Sequence, residues 1–116
     1  MINSKFYDDY EGEGQIIFND EANNKLIVWE GYIYVLMEQM FEQGSNILSD
    51  FYSREDDDNP WEIININNAI NQFKSFNLSK IKQDGFSEYI PGLIREITLF
   101  LTNALQSNKK VYIITD

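Results

Sequence analysis

The chain has 116 residues, the size of one ordinary domain, and 43% of them are hydrophobic, including the 15% that are aromatic. This content is enough to bury a core, which excludes a chain that is disordered throughout. Cysteine and histidine are both absent, which excludes disulfides, thiolate and imidazole metal sites, and catalysis by a nucleophile paired with histidine. We therefore predict one domain over residues 1–116, with no metal, no cofactor and no enzymatic activity.

The charge is strongly negative and unevenly placed. Nineteen acidic and nine basic residues give a formal net charge of −10. Residues 1–62 hold fifteen acidic and three basic residues, a net charge of −12, whereas residues 63–116 have a net charge of +2. Such a field repels nucleic acid and anionic membranes and attracts basic proteins. The clustering favours a basic protein partner, although solubility alone also accounts for a negative surface.

Residues 1–10 contain a lysine and two acids without the apolar run of a signal peptide. The longest apolar runs, residues 32–37 and 99–101, are far shorter than the ~20 residues that span a bilayer. These features predict a cytoplasmic protein that contacts neither membrane nor nucleic acid.

In the first half of the chain, residues 2–7 and 15–18 have the character of short strands, and the acidic segment between them reads as a loop. Residues 19–24 allow two interpretations. They form either a hairpin turn before a strand over 25–29 or a helix start capped by Asn19 or Asp20. On both interpretations residues 31–43 are helical, and Gly44 and Ser45 end that helix and begin a second one over 45–52.

In the second half, residues 53–60 predict an exposed loop because four successive acids repel one another. Asn59 followed by Pro60 predicts a helix start, and the helix then covers residues 61–76. A polar connection over 77–85 leads to a helix over 91–106 and a final strand over 111–115. The predicted fold is α+β, with three or four helices packed on a small sheet of two to four strands that includes the C-terminal strand. The alternative is an α/β layer with a parallel sheet.

Two acidic segments carry aromatic neighbours. Carboxylate runs can hold Ca²⁺ or Mg²⁺, but residues 56–61 break the EF-hand pattern at the third ligand and at the glycine, so we predict no metal site. Tyrosine and tryptophan beside charges are typical of protein interfaces. We therefore predict a partner-binding site made of Asp8, Asp9, Tyr10, Glu11, Glu13, Glu55, Asp56, Asp57, Asp58 and Trp61. The alternative for the carboxylates is a solvated acidic surface, and the alternative for Trp61 is that it closes the core behind its loop.

This profile resembles the small acidic immunity proteins of bacterial toxin–immunity systems, including those of contact-dependent growth inhibition. The resemblance lies in length, the two acidic segments, the aromatic residues and the missing catalytic set. It implies a protein that binds and neutralises a cognate basic toxin domain, commonly a nuclease, by covering its cationic active site. The alternative is an acidic nucleic-acid mimic or regulatory binding protein without a toxin partner, for which carboxylates spread along an extended face are expected.

Overall fold

Residues 1–41, 46–54, 59–76 and 88–116, which a computed structural model describes, form one mixed sheet with helices packed on one of its faces. The strands are β1 (Ile2–Phe6), β2 (Gln15–Asp20), β3 (Lys25–Trp29), β4 (Trp61–Glu62) and β5 (Val111–Thr115). The α-helices of these ranges are α1 (Glu30–Phe41), α2 (Ile47–Tyr52), α3 (Ile66–Lys74) and α4 (Ile90–Gln106). The predicted α+β class, with the C-terminal strand in the sheet, is confirmed.

The strand order is β1-β3-β2-β5-β4. β1 lies parallel to β3, and every other neighbouring pair is antiparallel. The largely antiparallel arrangement excludes the alternative α/β layer with a parallel sheet. The sheet also has one strand more than predicted in the described part of the chain, because the two-residue strand β4 carries too short an apolar pattern to be recognised.

The turn between β2 and β3 is a hairpin, so the interpretation of residues 19–24 as a helix start is wrong. Asp20 is only 7% exposed, and its Oδ1 accepts hydrogen bonds from Ala22 N at 2.8 Å and Asn24 N at 3.0 Å. Its Oδ2 accepts from Asn24 Nδ2 at 2.9 Å, and Asn23 takes the left-handed conformation with φ 62°. The Asp side chain therefore closes a turn in place of capping a helix.

The core lies between the sheet and the helices. Alternate residues of the central strands point at the helices and are fully buried: Ile16, Phe18, Leu26, Val28, Val111 and Ile113. α4 adds Ile90, Leu93, Ile97 and Leu101 from one face. Burying one such side chain stabilises the fold by about 1.5 to 3 kcal/mol, so this contiguous cluster is the main source of stability.

The face of the sheet away from the helices carries the strand residues that alternate with the buried ones. Ile17 lies opposite Ile27 on one side and Ile114 on the other, and all three are half-buried. Among the described residues, every helix falls short of the length and apolar character of a membrane span.

The predicted helix over 61–76 starts too early. Trp61 and Glu62 form β4 against β5, and Ile63 N donates to Val111 O at 2.9 Å. The helix begins only at Ile66, where the Oδ1 of Asn65 accepts from Asn68 N at 2.9 Å. Pairing with β5 therefore overrides the local start signal of Asn59 and Pro60, and the helix ends at Lys74, two residues before its predicted end.

The start of α2 also differs by one residue. Asn46, not Ser45, is the N-cap: its Oδ1 accepts from the backbone nitrogens of Leu48 and Ser49, and Ser49 Oγ accepts from Asn46 N. Asn46 Nδ2 also donates to Met40 O at 2.9 Å, which ties α2 to the end of α1. Residues 42–45, with the predicted stop at Gly44, and the predicted connection over 77–85 lie outside the described residues.

The hairpin gives a test of stability against pH. Burial alone would raise the pKa of Asp20, but hydrogen bonds from Asn24 and Ala22, with the charge of Lys109, lower it below its usual value. We expect Asp20→Asn to lower the free energy of unfolding at neutral pH by about 1 to 3 kcal/mol, since one charge-assisted bond is lost.

Because the folded pKa lies below the unfolded value of about 3.9, this stabilisation is present above that value and is lost as pH falls through the folded one. Urea unfolding of the wild type and of Asp20→Asn at neutral and acidic pH should therefore show a gap between their free energies of unfolding, and this gap should close on acidification. Glu38→Gln, at an exposed position of α1, is the control for loss of one charge. A gap that stays constant over this pH range would contradict the assignment.

Candidate protein-binding site

The chain brings several segments together at one end of the sheet, which we call the acidic end. β1 and β3 are parallel and both finish here, while antiparallel β2 begins here and β5 finishes beside it. The loop over residues 7–14 joins β1 to β2 at this end. Paired backbone bonds of 3.1 Å link Gln15 and Asp116, and Glu30 N donates to Gly14 O at 3.0 Å. The topology thus sets this loop beside the first turn of α1.

The loop presents four carboxylates to solvent. Asp8, Asp9, Glu11 and Glu13 are all exposed. Asp8 accepts a hydrogen bond from Ser4 Oγ at 2.7 Å, and in the described part of the chain no lysine or arginine forms an ion pair with any of the four. Their negative charge is therefore directed to solvent and is not neutralised within the described structure.

The loop is nevertheless ordered by its own backbone. A single 3₁₀ turn, Asp8–Tyr10, follows β1, with Tyr10 N donating to Tyr7 O at 2.8 Å. Glu13 N donates to Tyr10 O at 3.0 Å, and the Tyr7 hydroxyl donates to Glu13 O at 2.8 Å. Between these bonds Gly12 has φ 90°, which only glycine adopts readily. The acids are thus held on successive tight turns.

Tyr10 fastens this loop to the body of the protein. Its ring stacks on Trp29 with centroids 3.9 Å apart and planes 1° from parallel. The hydroxyls of Tyr10 and Tyr32 lie 3.1 Å apart and share a hydrogen bond, and Tyr32 meets both rings edge-on. Burial raises the pKa of Tyr32, and the bond to Tyr10 raises it further. Tyr10, predicted as a partner contact, is thus a half-buried anchor of the loop.

Tyr89 extends this aromatic cluster to the surface. Its ring centroid lies 6.0 Å from that of Tyr32, and the side chain is 45% exposed immediately before α4. The pKa of Tyr89 is raised, chiefly by its hydrogen bond to Glu88. The sequence does not single out Tyr89, because Tyr32 of α1 and the loop residues Asp9 and Tyr10, which act on it in the fold, lie more than fifty positions away along the chain.

A second aromatic group lies along α1 and α2. The Tyr34 hydroxyl donates to the Glu30 carboxylate, which with partial burial raises the pKa of Tyr34. Tyr34 is 43% exposed and stacks on Tyr52 with centroids 5.4 Å apart, and Tyr52 meets Phe51 edge-on. Burial raises the pKa of Tyr52 as well. Glu30 and Tyr34 thus add an acid and an exposed ring that the sequence analysis did not assign to the site.

Trp61 belongs to the border of the core. It is half-buried, with its ring centroid 5.8 Å from that of Phe51. The guanidinium carbon of Arg54 lies over the Phe51 ring, 3.9 Å from its centroid, and the guanidinium donates to Phe51 O at 2.7 Å and to Thr115 Oγ1 at 3.0 Å. The predicted site residues Glu55, Asp56, Asp57 and Asp58 lie outside the described residues. Arg54, which directly precedes them, lies next to Thr115, the last residue of β5, and so at the acidic end.

In the described ranges there is no group of three or more acidic side chains that is placed to hold a metal ion. No family model, curated protein or solved structure matches this chain. We therefore infer the function from the geometry and electrostatics of the acidic end.

Gly31 provides a test of the aromatic anchor. A Cβ at this position would overlap the ring of Trp29, on which Tyr10 is stacked. We expect Gly31→Ala to lower the free energy of unfolding by about 1 to 3 kcal/mol through this overlap and to weaken the near-ultraviolet circular dichroism of the aromatic rings.

Gly92→Ala is the matched control, because its Cβ would meet Phe6 Cζ at 3.8 Å, an ordinary contact. Both glycines lie in the first turn of a helix, and the control should be neutral or more stable by up to about 1 kcal/mol. Equal responses of the two variants would show that the Trp29 ring is not fixed where the structure places it.

The tyrosines give a second test, by alkaline titration. The pKa values of Tyr32 and Tyr52 are higher in the folded than in the unfolded chain, where they are about 10. Their contribution to the free energy of unfolding is therefore complete below pH ~10 and is lost as pH rises through the folded pKa values. When the ultraviolet absorbance of phenolate is followed during an alkaline titration, we expect a fraction of the tyrosines to ionise at higher pH than the others. Tyr32→Phe and Tyr52→Phe should each remove one phenol from that fraction. Ionisation of all seven tyrosines together near pH ~10 would contradict this assignment.

Proposed function

We propose that this chain is an inhibitor of the immunity type, which binds a basic protein through the acidic end and covers a cationic site on it. The supporting observation is the ordered loop over residues 7–14, where four exposed carboxylates have no ion pair within the described residues. On this function the protein acts by binding and has no catalytic activity of its own.

Electrostatics favour fast association through this loop. One pair of unit charges 4 Å apart in water contributes only about 1 kcal/mol, so no single carboxylate accounts for binding. Successive acids among Asp8, Asp9, Glu11 and Glu13 are at most two residues apart, or roughly 7 Å of backbone, which is within the Debye length of about 8 Å at physiological salt. Their fields therefore add, and such clusters raise association rates by about 10- to 1,000-fold.

The aromatic anchor removes part of the cost of binding. Ordering a flexible loop costs roughly 1 to 2 kcal/mol per residue, which is lost from affinity if it occurs on association. Here the stack of Tyr10 on Trp29 and the bond to Tyr32 already hold the loop in the free protein. Tyr34 and Tyr89, each more than 40% exposed, supply apolar area of the kind that dominates interfaces.

The partner that fits this surface is a compact cationic site. A nuclease active site must hold phosphate and is therefore positively charged, and carboxylates can take the place of that phosphate. The four acids lie on one short loop, so they suit a concave site better than the long groove of a duplex-binding protein. This spacing supports the immunity function over the nucleic-acid mimic.

The experiment starts by capturing binding proteins from the source cells and then measures association with the purified partner at several salt concentrations. The variant Asp8→Asn/Asp9→Asn/Glu11→Gln/Glu13→Gln should lower the association rate constant about tenfold or more at low salt and flatten its salt dependence. Adding the wild-type chain should also abolish the activity of the captured partner.

Matched single variants sharpen this test. Asp9→Asn and Glu38→Gln change the net charge equally, but Glu38 lies eight residues, or ~12 Å along α1, beyond Glu30 at the acidic end. Only Asp9→Asn should slow association severalfold. If the fourfold variant associates at the wild-type rate with the same salt slope, the acidic end is not the binding surface and the proposal fails.

A further inference from the structure

The face of the sheet away from the helices, which we call the outer face, has an apolar row at its centre. The row consists of Ile27, Ile17 and Ile114, which lie opposite one another on the neighbouring strands β3, β2 and β5. All three are half-buried, and they are not among the described residues that form the core or pack against it. A sheet face in contact with water usually carries polar residues in alternation with the buried ones. The three isoleucines therefore form a surface that contact with another apolar surface would stabilise.

The next row of the outer face, beside the β2–β3 hairpin, carries two opposite charges. It consists of four residues in register on neighbouring strands: Lys25, Asn19, Tyr112 and Glu62. Among the described strand residues of β2 to β5 that point away from the helices, Lys25 and Glu62 are the only charged ones. Three strand spacings separate them, or roughly 14 Å, so they do not pair with each other. Neither forms an ion pair with any other described residue.

These two charges are placed symmetrically about the middle of the four strands that carry them. β2 and β5 are central, β3 lies beyond β2, and β4 lies beyond β5. Lys25 and Glu62 are therefore on opposite sides of the line between β2 and β5, each roughly 7 Å from it. A twofold axis parallel to this line exchanges their positions when two copies are stacked face to face. Lys25 of each copy then lies opposite Glu62 of the other, which gives two ion pairs per dimer.

The same operation brings the apolar rows together. Because β2 and β5 exchange places, Ile17 of each copy lies opposite Ile114 of the other. Two sheets stack about 10 Å apart with their strands within about 30° of parallel, as in β-sandwiches, and the side chains of the facing rows then interdigitate. A different protein would need an apolar face with an acid and a base at matching positions, whereas a second copy supplies all of them. Charge complementarity thus favours a second copy as the occupant.

We propose that two copies of this chain associate through their outer faces, with Ile17 against Ile114 at the centre and Lys25 paired to Glu62 on both sides. The net charge of −10 on each copy opposes association, but the Debye length of about 8 Å at physiological salt limits this repulsion. One sheet face is a small interface, so we expect a dissociation constant in the micromolar range. The association uses the outer face and not the loop over residues 7–14, so it does not depend on the proposed function.

The test measures the mass of the full chain by sedimentation equilibrium at physiological salt, over concentrations from roughly 1 μM to 1 mM. The wild type should rise with concentration from 13.7 kDa towards twice that mass. Lys25→Glu and Glu62→Lys should each weaken association at least about tenfold, because like charges then face each other at two places in the dimer. An equimolar mixture of the two variants should associate within a few fold of the wild type, since both contacts of the mixed dimer again join opposite charges.

Control variants separate this contact from a general effect of charge. Lys74→Glu and Glu38→Lys make the same changes of net charge at exposed positions of α3 and α1, and both should associate like the wild type. Ile17→Thr keeps the β-branched shape but removes apolar area at the centre of the contact, so it should weaken association about tenfold. Circular dichroism checks that each variant keeps the native fold.

A wild-type chain that stays monomeric up to about 1 mM overturns the proposal. A dimer whose affinity is the same in Lys25→Glu and Glu62→Lys as in the wild type also overturns it. The same holds for a mixture of the two variants that associates no better than either variant alone.

Discussion

The contact on which the acidic end depends is the stack of Tyr10 on Trp29, completed by the hydroxyl bond to Tyr32. Four like charges on one loop repel one another, and a loop attached only at its ends would spread them apart. Stacking the middle of the loop on the end of β3 opposes that repulsion, because aromatic pairs contribute about 0.5 to 1.5 kcal/mol beyond the area they bury. The tyrosine that the sequence placed among the partner contacts therefore acts first on its own loop.

The same end of the sheet shows how parallel pairing determines which segments become neighbours. Because β1 runs beside β3, the loop after Phe6 emerges next to Trp29 and the first turn of α1. A Cβ on Gly31 would overlap the packed Trp29 ring, whereas a Cβ on Gly14 would require the Glu30 carboxylate to move away from the loop. The packing of this end thus explains Gly31, which the sequence alone leaves unexplained.

The two ends of the sheet differ in the state of their carboxylates. At the hairpin Asp20 is buried and fully engaged by Ala22 and Asn24, so its charge serves the fold. In the loop over residues 7–14 the carboxylates are exposed and have little engagement with the rest of the chain. A count of acidic residues treats both kinds alike, which is why the net charge of the first half overstates the number of acids available to a partner.

The α+β class, the helices with periodic apolar residues and the loop over residues 7–14 all follow from the amino-acid sequence, because periodicity and turn chemistry act over a few neighbouring residues. Helix α4 and the strand that follows it were predicted nearly to the residue. Tertiary contacts put Trp61 beside β5 in place of starting a helix, and they select the hairpin over the helix start at residues 19–24. They also bring Glu30, with Tyr34 next to it, and Tyr89 to the loop over residues 7–14. These outcomes depend on strand pairing and packing between residues tens of positions apart, whose free energy exceeds that of the local signals.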